Sequence, residues 1–241
     1  MMGNGKVFLS HTNDGHEQCT AIYTYLTSKG VDCWYDVHNM APGQILTTEM
    51  QREIAARDIF VRVCTPQATT SYFMQLERDL LTALQAAEYQ SERRRLAISL
   101  CFAGYPVEPL DRITKYIDAS SPTMPRAAWL DELRRALDLP MGWVLFDTSN
   151  DDYLWWIKTY PHGWVVNANW NPRPDWLTLH HATCGNIASY SPGADYTYVG
   201  KTTIKVCALD RNELESWAVS RVGPEAALSP CGSCMWKETA R

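Results

Sequence analysis

Short apolar segments alternate with amphipathic ones through about the first 140 residues, and this regularity constrains the fold more than any other feature. Residues 6–10, 31–36, 59–64 and 96–101 have the length and apolar content of strands, and residues 116–118 are a weaker candidate. Helices are predicted over residues 14–29, 45–57, 126–138 and a segment that contains Glu77. Such alternation predicts a parallel sheet with helices on both faces. We therefore predict an α/β fold with a doubly wound, flavodoxin-like, five-stranded sheet.

Polar residues fall where the predicted strands end. Ser10 and Asp36 close the first two strands, Thr65 follows the third, and the next helix contains Glu77. In doubly wound sheets, ligands bind beyond the carboxyl ends of the strands. These positions predict a ligand site at that edge, although a glutamate of unknown placement on a helix is more often a solvated surface residue.

The alternation of strands and helices is lost after about residue 140. Residues 164–168, 177–180 and 203–207 are typical of strands, and residues 210–218 of a helix with Asp210 as its N-cap. The predicted organisation is therefore a first domain over residues 5–138, a linker over 139–162, and a small α+β module over 163–241.

The composition argues against membrane insertion, export and nucleic-acid binding. No run approaches the roughly 18 apolar residues of a membrane helix, and the residues before the first strand have no apolar core of a signal peptide. The net charge of −5 argues against nonspecific nucleic-acid binding. Eight cysteines are then expected to be mostly reduced thiols. We expect a cytoplasmic protein without membrane or nucleic-acid partners.

Four sequence boxes in the first domain resemble the Toll/interleukin-1 receptor (TIR) domain, in particular its bacterial NAD-consuming members. Residues 8–11 with Asp14 are similar to the first-strand box, and residues 35–36 with Pro42 and Gly43 to the second strand and its loop. Residues 54–58 resemble the end of the next helix. Ser71, Phe73 and Glu77 occupy the positions of a serine, a tryptophan and, four residues later, the catalytic glutamate.

The chain departs from the family pattern at three positions. Phe73 replaces the usual tryptophan, Met74 the usual cysteine, and Gln44 an acidic residue after the loop. None of these changes removes the carboxylate of Glu77. Because many TIR domains act only as scaffolds, retention of Glu77 favours an enzyme, and the alternative is a non-catalytic module that binds other TIR proteins.

The resemblance implies an NAD glycohydrolase or ADP-ribosyl cyclase that breaks the nicotinamide–ribose bond. Such enzymes serve bacterial antiphage immunity by depleting NAD or by producing a cyclic ADP-ribose signal for a separate effector protein. Glu77 is the implied catalytic residue, no catalytic cofactor is required, and self-association through the TIR domain is expected. The implied NAD-binding residues are Ser10, His11, Asp36, Ser71 and Phe73, although Phe73 is equally compatible with a core aromatic.

The C-terminal module contains two pairs of metal-binding residue types. His180 with Cys184, and Cys231 with Cys234, supply the nitrogen and sulfur ligands that Zn²⁺ prefers. The set contains no carboxylate and leaves no open position, so the spacing favours a structural zinc. Free thiols and a redox pair are the alternatives, and the adjacent His181 is the alternative histidine ligand.

Overall fold

The computed structural model describes residues 5–36, 46–88, 95–107, 115–188, 198–200 and 202–235. The loop predicted around Pro42 and Gly43, together with Gln44, lies outside the described residues. The chain divides into two compact units, Met1–Met124 with Trp129–Leu139, and Pro125–Ala128 with Pro140–Arg241.

The first unit is built on a parallel five-stranded sheet with the order β2-β1-β3-β4-β5. Its strands are β1 Val7–Ser10, β2 Cys33–Trp34, β3 Ile59–Cys64, β4 Leu96–Phe102 and β5 Lys115–Ala119. This is the flavodoxin-like order, which confirms the predicted fold class. The second strand is shorter than predicted because, as an edge strand, it pairs only with β1 at Cys33 and Trp34.

Helices cover both faces of this sheet. They are α1 His16–Ser28, α2 Leu46–Ala56, α3 Tyr72–Ala87 and α4 Arg126–Ala136. On one face, Ile22 of α1 and Leu133 of α4 join the buried cluster of Val61 and Ile98. On the other face, α2 and α3 pack against a cluster that includes Phe8. Alternate residues of each strand therefore enter two different cores, as the pleat of a β-strand requires.

The second unit contains a mixed five-stranded sheet with the order β10-β8-β7-β9-β6. Its strands are β6 Val144–Phe146, β7 Trp164–Asn169, β8 Leu177–His181, β9 Thr203–Ala208 and β10 Ser229–Pro230. Its helices are α5 Asn150–Thr159, α6 Gly185–Ala188 and α7 Arg211–Arg221. Among the described residues, no helix combines the length and the apolar character needed to cross a membrane.

The segment predicted as a linker, residues 139–162, is instead structured. It contains β6, which pairs antiparallel with β9, and α5, whose N-cap Ser149 accepts a hydrogen bond from the backbone N–H of Asp152. The strand has only three residues, and Leu145 in its centre is exposed, so no alternating pattern marks it in the sequence. The cap at Ser149 is the local signal that predicts the following helix.

Candidate functional site

One face of the first sheet carries a polar row between two apolar rows. Because parallel strands in register turn equivalent side chains to the same face, paired residues form a row across β1, β3 and β4. The rows are Phe8, Phe60 and Ala97; then Ser10, Arg62 and Ser99; then Cys64 and Cys101. All members of the polar row are buried, with exposed fractions of 1%, 7% and 1%. A buried polar row requires polar partners above it.

Helix α3 lies over these rows. Its buried residues, Met74, Glu77 and Leu81, follow one stripe of the helix. Leu81 packs in the cluster of the first apolar row, and Met74 packs in the cluster of Cys64 and Cys101. Glu77 lies between them along the stripe and is therefore the residue of α3 that meets the polar row.

Glu77 is 7% exposed and accepts a short hydrogen bond from the Ser10 hydroxyl at its Oε2 atom. Burial raises the pKa of Glu77 from its ordinary value of 4.5 to about 8. The Ser10 hydrogen bond opposes this rise, the negative charge of Asp36 adds to it, and the positive charge of Arg62 opposes it. Near neutral pH the carboxyl group of Glu77 is therefore mostly protonated in the free protein.

His11 and Asp36 lie close to each other just beyond β1 and β2, and the charge of Asp36 reaches Glu77. The Nδ1 atom of His11 is 3.8 Å from Oδ1 of Asp36, and the His11 ring meets the Tyr35 ring edge to face at 4.9 Å. Burial lowers the pKa of His11, Asp36 opposes this effect, and His16 adds to it. The structure thus brings Ser10, His11, Asp36 and Glu77 to one edge, as their positions at strand ends predict.

Ser71 and Phe73 lie at the start of α3. The Ser71 hydroxyl accepts a hydrogen bond of 3.3 Å from the backbone N–H of Met74, so Ser71 serves as the N-cap of this helix. Phe73 is 42% exposed, which excludes the alternative of a core aromatic, and its ring meets the Tyr72 ring at 5.7 Å. Phe73 precedes Glu77 by one helical turn and offers an accessible ring on the same side of the helix.

A hydrogen-bond network fixes the two loops that flank Ser10. Asp14 follows β1 and accepts hydrogen bonds from the hydroxyls of Thr12 and Thr65 and, at 3.2 Å, from the backbone N–H of Gln67. Burial raises the pKa of Asp14, but these hydrogen bonds outweigh it, so the pKa lies below its ordinary value. The ionised carboxylate of Asp14 therefore ties the loop after β1 to the loop after β3.

Arg62 is the site residue that the sequence analysis missed. It lies in the centre of β3, between Val61 and Val63, which are both fully buried. An arginine inside an otherwise apolar strand was the available signal, because a buried charge requires compensation nearby. An arginine in a strand marks a site only when the strand is covered on both faces, and the sequence does not show that for β3.

The second unit gathers the predicted metal ligands. The Nδ1 or Nε2 atom of His180 and the Sγ atoms of Cys184, Cys231 and Cys234 all lie within 4.8 Å of one another, and Cys234 alone of the four is not fully buried. Two thiolates on one tetrahedral Zn²⁺ are about 3.8 Å apart, because each Zn–S bond is about 2.3 Å. The donor types and their spacing fit a closed site, so this buried cluster could hold a structural zinc.

Each ligand of this cluster comes from a structured segment. His180 lies in β8, Cys184 directly precedes α6, and Cys231 directly follows β10. Burial, together with the charge of Lys205, lowers the pKa of His180 to about 4, so its imidazole is neutral, as metal binding requires. His181, the alternative ligand, points to the other face of β8 and stacks on Trp164 at 4.4 Å.

The raised pKa of Glu77 makes the stability of the first unit depend on pH. The unfolded chain releases this proton near pH 4.5, whereas the folded chain retains it to about pH 8. Stability is therefore lost progressively as the pH rises between these values. Glu77→Gln mimics the protonated form, so we expect it to stabilise the unit, with a gain that grows to a few kcal/mol near pH 8.

Hydrogen exchange of the β1 and β3 amides at several pH values measures this gain. Asp79→Asn, which neutralises an exposed carboxylate on the same helix, is the matched control and should give no comparable trend. A gain for Glu77→Gln that stays constant between pH 5 and pH 8 would contradict the burial of an ionisable carboxyl group here.

Several solved structures are similar to part of this chain. The TIR domain of the Toll-related receptor TRR-2 from Hydra magnipapillata is 12% identical and covers 56% of this chain and 98% of its own, with a TM-score of 0.45. The TIR domains of the activated Roq1 resistosome are 16% identical and cover 55% and 71%, with a TM-score of 0.36. The CMP N-glycosidase BcmB from Clostridium botulinum is 18% identical and covers 54% and 98%, with a TM-score of 0.38. With TM-scores below 0.5, these likenesses identify neither the fold nor the function of the chain.

Comparison of the sequence with protein families identifies the family more specifically than these structures do. No curated protein matches the chain. The family profile described as TIR domain matches residues 7–137, which is more than half of the 241 residues. The match begins at the first residue of β1, includes Glu77 and ends directly after α4. The chain therefore belongs to the TIR-domain family.

Proposed function

We propose that the TIR unit cleaves the nicotinamide–ribose bond of NAD and that Glu77 is the carboxylate that acts on the ribose. One observation carries the proposal: a buried carboxyl group at the ligand-binding edge of the sheet, held by the hydroxyl of Ser10. The TIR family includes NAD-cleaving enzymes, and their chemistry requires such a group. A glutamate in a scaffold domain has no comparable reason to be buried, because burial of a carboxyl group is unfavourable.

The reaction needs little more than one carboxylate. As the bond between the ribose C1′ atom and the nicotinamide nitrogen breaks, its electron pair neutralises the pyridinium ring, and positive charge develops on the ribose. An ionised Glu77 stabilises this charge, and the low dielectric around it strengthens the attraction. Nicotinamide leaves without a proton, so a second acid is unnecessary, in contrast to most glycosidases.

The raised pKa of Glu77 is compatible with this role. In the free protein the carboxyl group is mostly protonated near neutral pH, because its pKa is about 8, and the ionised form is the minor one. The nicotinamide end of NAD carries a positive charge, which favours the ionised carboxylate when the substrate binds. The ionised form would then be present where the charge on the ribose develops.

The neighbouring residues supply candidate contacts to the substrate. We assign the side chains of His11 and Asp36 to the ribose and phosphate groups, because both lie at the edge that carries Glu77. The Ser10 hydroxyl, which donates to Glu77, can accept a hydrogen bond from a ribose hydroxyl. The exposed ring of Phe73 is suited to stack on a planar base. Ser71 acts on the site through the N-cap that fixes the start of α3.

The product depends on the nucleophile that reaches C1′. Water gives ADP-ribose and a proton, whereas a nitrogen or hydroxyl of the same molecule gives a cyclic isomer. We propose that either outcome serves antiphage immunity, by NAD depletion or by a signal to a separate effector protein. Self-association of TIR units is part of this proposal and predicts a specific activity that rises with protein concentration.

We propose further that the C-terminal unit binds one structural Zn²⁺ through His180, Cys184, Cys231 and Cys234. The four ligand atoms are gathered within 4.8 Å, and the donor set has the composition of closed structural sites. Among the described residues, the cysteines of this set are free thiols rather than disulfides. The ion would join β8 to the short edge strand β10, because its ligands come from β8 itself, from the turn after β8 and from the turn after β10.

Replacement of Glu77 tests the catalytic proposal. Purified protein is incubated with NAD, and nicotinamide, ADP-ribose and cyclic products are resolved by mass spectrometry. We expect Glu77→Gln to lower nicotinamide release at least about 100-fold, because the charge on the ribose loses its stabilising carboxylate. Asp79→Asn, on the exposed side of the same helix, should retain full activity. Equal release by the wild type and Glu77→Gln would exclude Glu77 as the catalytic residue and favour the scaffold alternative.

Metal analysis tests the zinc proposal. We expect about one Zn²⁺ per wild-type chain and almost none for Cys231→Ser, which replaces a thiolate ligand by a hydroxyl. Cys207→Ala, a buried cysteine of the same unit outside the cluster, is the control and should retain the metal. A chelator should lower the melting temperature of the wild type but not that of Cys231→Ser. A metal-free wild type whose melting temperature does not respond to added Zn²⁺ would overturn the proposal.

A further inference from the structure

Arg62 places a charge inside an apolar strand. Its neighbours Val61 and Val63 are fully buried, and Arg62 itself is only 7% exposed. Burial of a charge costs several kcal/mol unless a compensating group lies near it. Arginine keeps its proton even when it is buried, so this cost is not avoided by neutralisation. The position of Arg62 therefore demands a nearby negative charge or strong acceptors.

The register of the sheet identifies the surroundings of Arg62. It pairs with Ser10 on β1 and with Ser99 on β4, and both of these residues are almost fully buried. Ser10 donates its hydroxyl hydrogen to Glu77, which lies over this polar row on α3. Arg62 is thus the buried cation in the row of residues that Glu77 faces.

Among the described residues, the other titratable groups that interact electrostatically with Glu77 supply no positive charge. Asp36 follows β2 and repels the ionised carboxylate, and Cys19 on α1 has a pKa raised above the titration range, chiefly by burial, so it stays neutral. His11 is close to Asp36, and burial lowers its pKa. Arg62 is the group whose charge favours ionisation of Glu77.

We propose that Arg62 is a positioning residue for the NAD-cleaving carboxylate: its buried guanidinium favours the ionised form of Glu77, over the polar row and next to Ser10. This inference rests on the proposed function of Glu77. Arg62 lies in the row of the sheet that α3 covers, and in this proposal it acts through Glu77 rather than on the substrate. Ser10 supplies the hydrogen bond to Oε2, and Arg62 supplies the fixed charge.

The pH dependence of kcat/KM for nicotinamide release tests the proposal, because it reports the titration of the free enzyme. We expect the wild-type activity to rise with pH as Glu77 ionises. In Arg62→Gln this rise should move to higher pH by at least about one unit, which lowers kcat/KM about tenfold on the acidic side. Arg62→Lys keeps the charge and should restore most of the wild-type profile. Arg52→Gln, an exposed arginine of α2, is the control and should leave the profile unchanged.

A purely structural role for Arg62 predicts a different result. It would lower kcat/KM of Arg62→Gln at every pH and leave the position of the rise unchanged, and that outcome would overturn the proposal. If Arg62→Gln does not fold, Arg62→Met takes its place, because it keeps an apolar side chain of similar length without the charge, and the same shift of the rise is expected.

A second measurement separates this inference from the proposed function. Carbon-13 NMR follows the titration of the Glu77 carboxyl group without NAD, with Glu77→Gln used to assign its signal. The proposal predicts a higher midpoint in Arg62→Gln than in the wild type and a smaller change in Arg62→Lys. An unchanged midpoint in both variants would refute it even if Glu77 is catalytic. If Glu77→Gln retains turnover, the proposed function fails, whereas the carboxyl titration still decides the effect of Arg62.

Discussion

The arrangement of the TIR unit depends on the burial of one carboxyl group between a helix and a sheet. Glu77 interrupts the apolar stripe of α3. The sheet beneath this position carries a matching polar row of Ser10, Arg62 and Ser99. Apolar rows on either side of this polar row anchor α3 through Leu81 and Met74. The packing that fixes the helix therefore also fixes the carboxyl group at this edge of the sheet, where the proposed cleavage of NAD would use it.

The two units use different means to hold a short edge strand. In the TIR unit, β2 is only two residues long, and Trp34 secures it by stacking on Phe8 at 4.7 Å. In the C-terminal unit, β10 is equally short, and the backbone N–H of Cys231 donates to the carbonyl oxygen of Leu179 in β8. A zinc ion at the adjacent ligand cluster would further stabilise the pairing of β10 with β8, because metal ligation stabilises the folded state directly.

The sequence predicts those features that repeat along the chain or depend on local chemistry. The alternation of strands and helices gives the sheet, and the order of the strand ends brings Ser10, Asp36 and Glu77 to one edge. The place of Arg62 in the site could not be predicted from the sequence. It depends on the neighbours of Arg62 in β1 and β4, and only the strand order defines these neighbours. The exposure of Phe73 is decided by its position in the first turn of α3, where the N-cap at Ser71 sets the direction of the helix. The strand within residues 139–162 is found through its pairing with β9, which is distant in sequence.

The central claim is that Glu77 acts on the bond that breaks rather than on the binding of NAD. The most direct test measures binding and chemistry separately, by calorimetric titration of NAD into Glu77→Gln and by single-turnover nicotinamide release from the same preparation. Our account predicts that Glu77→Gln binds NAD with an affinity close to that of the wild type and releases nicotinamide at least about 100-fold more slowly. Cleavage of bound NAD by Glu77→Gln at the wild-type rate would contradict it.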